Sequence, residues 1–152
     1  MYDRLLPRQI DNAYGGYKAA LWLFGLLVLI KAGIGLRCIF SGFTTATTGD
    51  GIPLDTFTTA GAQAVVSLFA LWGLMQCVLC LLSVLALVRY RAMVPLLFAL
   101  FLLEHLCRKA ILHFLPIATT GTAPGFFVNL FLLAAMVVGL GLSLRGRDRG
   151  TG

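Results

Sequence analysis

The sequence predicts an all-α fold, an antiparallel four-helix transmembrane bundle with both termini in the cytoplasm. Three observations predict it. Apolar residues make up 59% of the 152-residue chain and charged residues 12%, where average globular domains carry roughly 25% charged residues. The mean hydropathy is +0.92. Four apolar runs are each long enough to cross a hydrocarbon core of about 30 Å, which takes about 20 helical residues. Finally, Lys and Arg alternate from one connection to the next, present then absent, in phase with those runs. The length suits one membrane domain.

The first run covers residues 19–40 and follows a short tail, residues 1–18. That tail is polar or mixed, and no small-residue cleavage site follows the run, so it reads as a retained span rather than a signal peptide. Arg37 directly before Cys38 makes a poor lipoprotein cleavage site. The second run covers residues 61–88, and Pro53 and Asp55 ahead of it are expected to start a short helical extension into it. The third covers residues 93–114, with Pro95 in its first turn, where a missing N–H costs little. The fourth covers residues 125–144, followed by a tail, residues 145–152. The runs are continuous, without period-2 alternation, which excludes a β-barrel. In the fourth, Ala135, Gly139 and Ser143 form a small-residue stripe, for packing within the monomer or for a homodimer face.

Charge orients the chain. Arg4, Arg8 and Lys18 precede the first span. The first connection carries Asp50 and Asp55 but no Lys or Arg. Arg89 and Arg91 stand in the second connection, none in the third, and Arg145, Arg147 and Arg149 in the tail. The positive-inside rule then puts both termini and the second connection in the cytoplasm. The formal charge of +6 is thereby accounted for by topology and by anionic lipid headgroups. The basic residues flank apolar runs and are not interleaved with stacking aromatics, so no nucleic-acid partner is expected.

Ionisable residues within spans are costly and mark a function or a buried partner. Lys31, Gln76 and Glu104 come from three different spans, yet at 1.5 Å per residue each lies about 18 Å from the cytoplasmic side. Lys31 and Glu104 are therefore an expected ion pair, with Gln76 as a third member. On the third span Glu104 and Arg108 share a face, and His105 with Lys109 repeats the spacing about 100° around. Arg37 lies at a level similar to Arg108 and Lys109, and Asn129 is near the outer end of the fourth span. Asp50 and Asp55 could fold over this outer half and offset its positive charge. Lys31, Arg37, Gln76, Glu104, His105, Arg108 and Lys109 are the candidate ligand-binding residues. The alternative is a purely structural ion network, with Arg37 and Lys109 reaching out to headgroups.

Other motifs fail on context. Cys77 and Cys80 form C-x-x-C deep in a span, away from the polar surroundings a reactive thiol needs, and read as small hydrophobes. Cys38 and Cys107 share the outer half, which leaves a disulfide open. His105 and His113 are about 12 Å apart along their helix and cannot share a metal, although single axial ligation by His105 stays open. Glu104-His105 is not part of an H-E-x-x-H motif, and Gly33-Ile34-Gly35 lacks the third glycine of a dinucleotide fingerprint. No catalytic residue, metal site or cofactor is expected.

The order of four spans resembles the small bacterial inner-membrane proteins grouped as DoxX-like. More closely, the segments Asp50-Gly51-Ile52-Pro53-Leu54-Asp55-Thr56-Phe57 and Leu103-Glu104-His105-Leu106-Cys107-Arg108-Lys109 resemble an uncharacterised bacterial four-helix inner-membrane family, over nearly all of the chain. The resemblance implies a bacterial inner membrane and no particular chemistry. The expected function is non-enzymatic binding of a polar or anionic ligand, or of a lipid headgroup, in the outer half of the bundle. An accessory subunit of a larger membrane complex is one alternative, its polar network completed by a partner helix. A quinone-linked redox component is another, and it needs a cofactor that the sequence does not show. Membrane lipids are the expected partners in every case.

Overall fold

The computed structural model describes residue 5, residues 11 and 12, residues 14–120 and residues 124–145. Arg4, Arg8, Arg147 and Arg149 of the charge pattern lie outside these. Four long helices dominate: α1 (Lys18–Phe40), α2 (Thr59–Arg89), α3 (Val94–Phe114) and α4 (Gly125–Leu144). No strand occurs among the described residues.

Three of these helices, α1, α2 and α4, are long and apolar enough to cross a membrane. α3 is 21 residues long but carries Glu104, Arg108 and Lys109 within little more than one turn, so length and apolarity alone do not mark it as a span. The outward faces are as apolar as a membrane requires: Trp22 is 83% exposed, Leu29 72% and Leu81 70%. Helices that are apolar all round are either buried or bathed in lipid, and these are not buried.

Local signals set the boundaries. Thr58 caps α2, its hydroxyl accepting from the Gly61 N–H at 3.2 Å, which satisfies one of the open donors of the first turn. The expected extension from Pro53 and Asp55 does not merge with α2. It is a separate 3₁₀ turn, Leu54–Thr56, broken from α2 by extended backbone at Phe57 and Thr58. Arg91–Met93 forms a 3₁₀ turn between α2 and α3, and Pro95 stands in the first turn of α3.

The first connection is far from an open loop. The chain leaves α1 at Ser41, makes a helical turn over Gly42–Thr44 and a π-helical turn over Thr45–Gly49. Threonine hydroxyls donate back to carbonyls here: Thr45 to Ser41 at 2.8 Å, Thr47 to Phe43 at 2.9 Å and Thr48 to Thr44 at 2.7 Å. Gly51, at φ 70°, takes the left-handed conformation that glycine adopts without penalty and turns the chain back. Ala46, Ile52 and Leu54 then form a small second core against Val65, Val66 and Phe69 of α2. The Gly51 carbonyl also accepts from the Thr120 N–H at 2.8 Å, tying the third connection to the first.

The main core joins Phe24, Leu27 and Val28 of α1 with Phe98 and Phe101 of α3, Leu132 and Met136 of α4, and Cys80 and Ala86 of α2. Phe24 and Phe98 meet edge to face at 4.9 Å. Small residues allow two close approaches. Gly35 of α1 and Gly73 of α2 touch backbone to backbone, and a Cβ at Gly139 of α4 would overlap the Phe98 ring. Ser143 is buried and accepts from the Tyr14 hydroxyl at 3.2 Å. At Gly139 and Ser143 the α4 stripe therefore faces inward and packs within the chain, while Ala135 is half-buried.

Candidate functional site

Four helices contribute to one polar site. On α1, Lys31 is 5% exposed, and its ammonium donates to Glu104 Oε2 of α3 at 2.8 Å. It also donates to Gln76 Oε1 of α2 at 3.4 Å and lies 4.7 Å from the centre of the Phe101 ring. The three residues matched by depth in the sequence thus meet in space. Gln76 passes the contact on by donating to Cys80 Sγ at 3.8 Å. A cation this buried is tolerable only when carboxylate, amide and ring replace its lost water together.

Beyond this pair, toward the first connection, lies a cavity of about 340 Å³. Lys31, Arg37, Gln76 and Arg108 line it, as do Trp72 and Asp50. Arg108 follows Glu104 by one helical turn and is held from two sides. Its Nη2 donates to Asn129 Oδ1 of α4 at 2.8 Å, and its guanidinium lies 5.2 Å from the Trp72 ring centre. No carboxylate of the described residues forms an ion pair with it. Arg108 is therefore oriented without a direct ion pair, though Asp50 on the same wall feels its charge, and it keeps donors for an acceptor in the cavity.

Asp50 and Arg108, with Asn129, also line a second cavity of about 290 Å³ next to the first. The glycine at the start of α4 leaves room for Asp50 there, since a Cβ on Gly125 would come within 2.9 Å of Asp50 Oδ1. Burial pushes the Asp50 carboxyl above its ordinary range, and the charge of Arg108 partly opposes this. A carboxyl raised in the folded state favours folding below its ordinary pKa of about 3.9, and that contribution is lost as the pH rises through the raised value. Asp50→Asn is accordingly expected to raise the thermal unfolding midpoint at neutral pH. The gain should shrink to nothing as the pH falls below the ordinary carboxylate range. Equal midpoints for the two proteins across the whole pH range would contradict this.

Four residues singled out in the sequence stand outside the wall of the first cavity. His105 does not face the cavity. It is fully buried on the stripe of α3 that continues Val94, Leu97, Phe98 and Phe101 into the core, and neither ring nitrogen has a hydrogen-bond partner. Lys109 lines the second cavity and not the first. Asp55 is exposed in its 3₁₀ turn, so Asp50 alone of the two folds over the site. Glu104 holds Lys31 but is not part of the cavity wall.

Trp72 and Asn129 complete the site without standing out in the sequence as Arg108 does, Asn129 showing there only as a polar residue near the outer end of the fourth span. Trp72 lies one turn before Gln76 and thus on the same face of α2, which is the signal that would have found it. All four cysteines carry free thiols, Cys38 buried and Cys107 exposed. Among the described residues no group of three or more His, Cys, Asp or Glu is placed to hold a metal ion. No protein-family model, curated protein or solved structure matches the chain.

Proposed function

We propose that the chain is an antiparallel four-helix bundle of the bacterial inner membrane that binds a small anionic ligand with an apolar portion in its outer half. The observation that carries this is Arg108, oriented by Asn129 and Trp72 in a cavity of about 340 Å³, with no carboxylate of the described residues within ion-pair distance. That volume lies near the lower end of the roughly 300–1,000 Å³ typical of ligand pockets. Arg108 would take the anionic group, with Arg37 at the wall adding positive potential. Ile34, Val128 and Leu132 on the wall would take the apolar portion. Lys31, Glu104 and Gln76 position the floor.

The orientation rests on the alternation of Lys and Arg, which puts both termini in the cytoplasm. In a background without native cysteines, Thr119→Cys is expected to label only from the outer face. Labelling only from the cytoplasm would invert the topology.

Binding is tested by the native mass of the protein extracted gently from its own membrane. The expected result is a mass a few hundred daltons above the monomer. In a Trp22→Phe background, Trp72 emission reports on the cavity directly. A short alkyl phosphate or alkyl carboxylate should shift it saturably. Arg108→Gln should weaken that binding roughly ten- to hundred-fold, the loss of a hydrogen bond to a charged group. A bare monomer with no response of Trp72 would overturn the proposal. Co-purification of a second polypeptide in place of a small ligand would favour the accessory-subunit reading.

A further inference from the structure

The opposite end of the molecule carries a groove that the cavity reading does not use. It has a volume of about 390 Å³ and is lined by Lys18, Leu21, Trp22, Leu87 and Arg91. Lys18 is the first residue of α1, and Arg91 stands in the turn that follows α2. Two cations therefore flank a wall that is otherwise Leu, Trp and Leu. No carboxylate of the described residues pairs with either cation. Asp11 reaches this end of the molecule, where its carbonyl accepts from the Ala92 N–H at 3.3 Å, but it is not part of the groove wall.

The two cations differ in how they are held. Arg91 Nε donates to the Leu87 carbonyl at 3.1 Å, which fixes the guanidinium at the rim and leaves its terminal nitrogens free. A planar guanidinium so fixed suits the oxygens of a phosphate. Lys18 offers a point charge on a four-carbon stem on the other side, at the positive end of α1, whose first turn contains no acidic residue. Trp22 is 83% exposed and Tyr17 46%. Exposed aromatics at the end of a span mark the headgroup level of a bilayer.

We propose that this groove is a site for an anionic diacyl phospholipid. The phosphate would sit between Lys18 and Arg91, with an acyl chain running along Leu21, Trp22 and Leu87. Charge complementarity selects an anionic headgroup over a zwitterionic one, whose ammonium would meet two like charges. The three apolar wall residues select a lipid over a water-soluble anion, which would leave them uncovered. The inference is independent of what binds in the cavity at the other end.

Trp22 and Trp72 are the two tryptophans, so Trp72→Phe leaves Trp22 as the only indole emitter. That variant is reconstituted in phosphatidylcholine vesicles containing either brominated phosphatidylglycerol or brominated phosphatidylcholine at the same mole fraction. Bromine quenches Trp22 only on contact. The anionic lipid is expected to quench more, at a preference of roughly five-fold for each cation. Lys18→Gln combined with Arg91→Gln should bring the two lipids to equal quenching. Both residues are exposed at helix ends, and an unchanged far-ultraviolet spectrum would confirm that the variant is folded. Equal quenching by both lipids in the parent would overturn the proposal, as would a preference that survives the double substitution.

Discussion

Glu104→Leu is expected to be among the most damaging single substitutions in the protein, and Lys31→Met is expected to rescue it. Glu104 is the one carboxylate bonded to an ammonium that is 5% exposed. Without it, Lys31 keeps only a 3.4 Å contact to Gln76 and the face of Phe101. An uncompensated buried charge of this kind costs about 3–5 kcal/mol, whereas replacing both partners by apolar groups is often neutral. The low end of that range applies, because the Glu104 side chain is 31% exposed. Lys31→Met alone should cost less for the same reason, since it strands the less buried partner. The measurement is a double-mutant cycle on unfolding free energy in one detergent. Losses that simply add would mean that the two residues do not act as a pair.

Gly73→Ala should have an effect of similar size by a different mechanism. A Cβ there would stand 2.5 Å from the Gly35 carbonyl oxygen and 2.8 Å from Cys38 Cβ. Neither is the tip of a flexible side chain, so α1 and α2 would have to separate. Overpacking typically costs 1–3 kcal/mol and more where the surroundings cannot relax. Gly35→Ala meets Cys77 Sγ at 2.9 Å and the Gly73 carbonyl at 3.0 Å, and should be the milder of the two. Gly33→Ala, with nothing within 4 Å, is the control that measures helix propensity alone.

The same substitution reaches the site. Lys31 lies one turn before Gly35, and Gln76 about one turn after Gly73. Moving α1 from α2 therefore lengthens the Lys31–Gln76 contact and opens the floor of the cavity. Gly73→Ala should lower the unfolding midpoint and weaken ligand binding together. A variant that lost stability and kept full affinity would show that the floor is not shaped by this helix contact.

Position along a helix is one-dimensional and can be read from the chain. Each residue advances a fixed 1.5 Å, so Lys31, Gln76 and Glu104 could be placed at one level with no knowledge of how the helices pack. The long helices follow from continuous apolar runs bounded by Thr58, Pro95 and Ser41, and their boundaries fall within two residues of the expected spans. The rotation of each helix about its axis is another matter, because it depends on which neighbours it meets. On α3 the choice went to Leu97, Phe98 and Phe101, which bury more apolar area than any polar sector could. His105, one turn past Phe101, was carried into the core with them. Arg108 was left facing the cavity, and Lys109 turned away from it.

Tertiary structure likewise decided the parts that depend on distant segments meeting. Asp50 and Asp55 are equivalent on paper. The positive φ of Gly51 and the small core of Ala46, Ile52 and Leu54 bring Asp50 back against Gly125 and leave Asp55 outside. The small-residue stripe of α4 does not name its neighbours on paper, and within the chain Phe98 packs on Gly139 while Tyr14 meets Ser143. Level along the membrane normal is local geometry and belongs to the sequence. Which side of a helix looks inward is settled by competition for buried area among helices far apart in the chain.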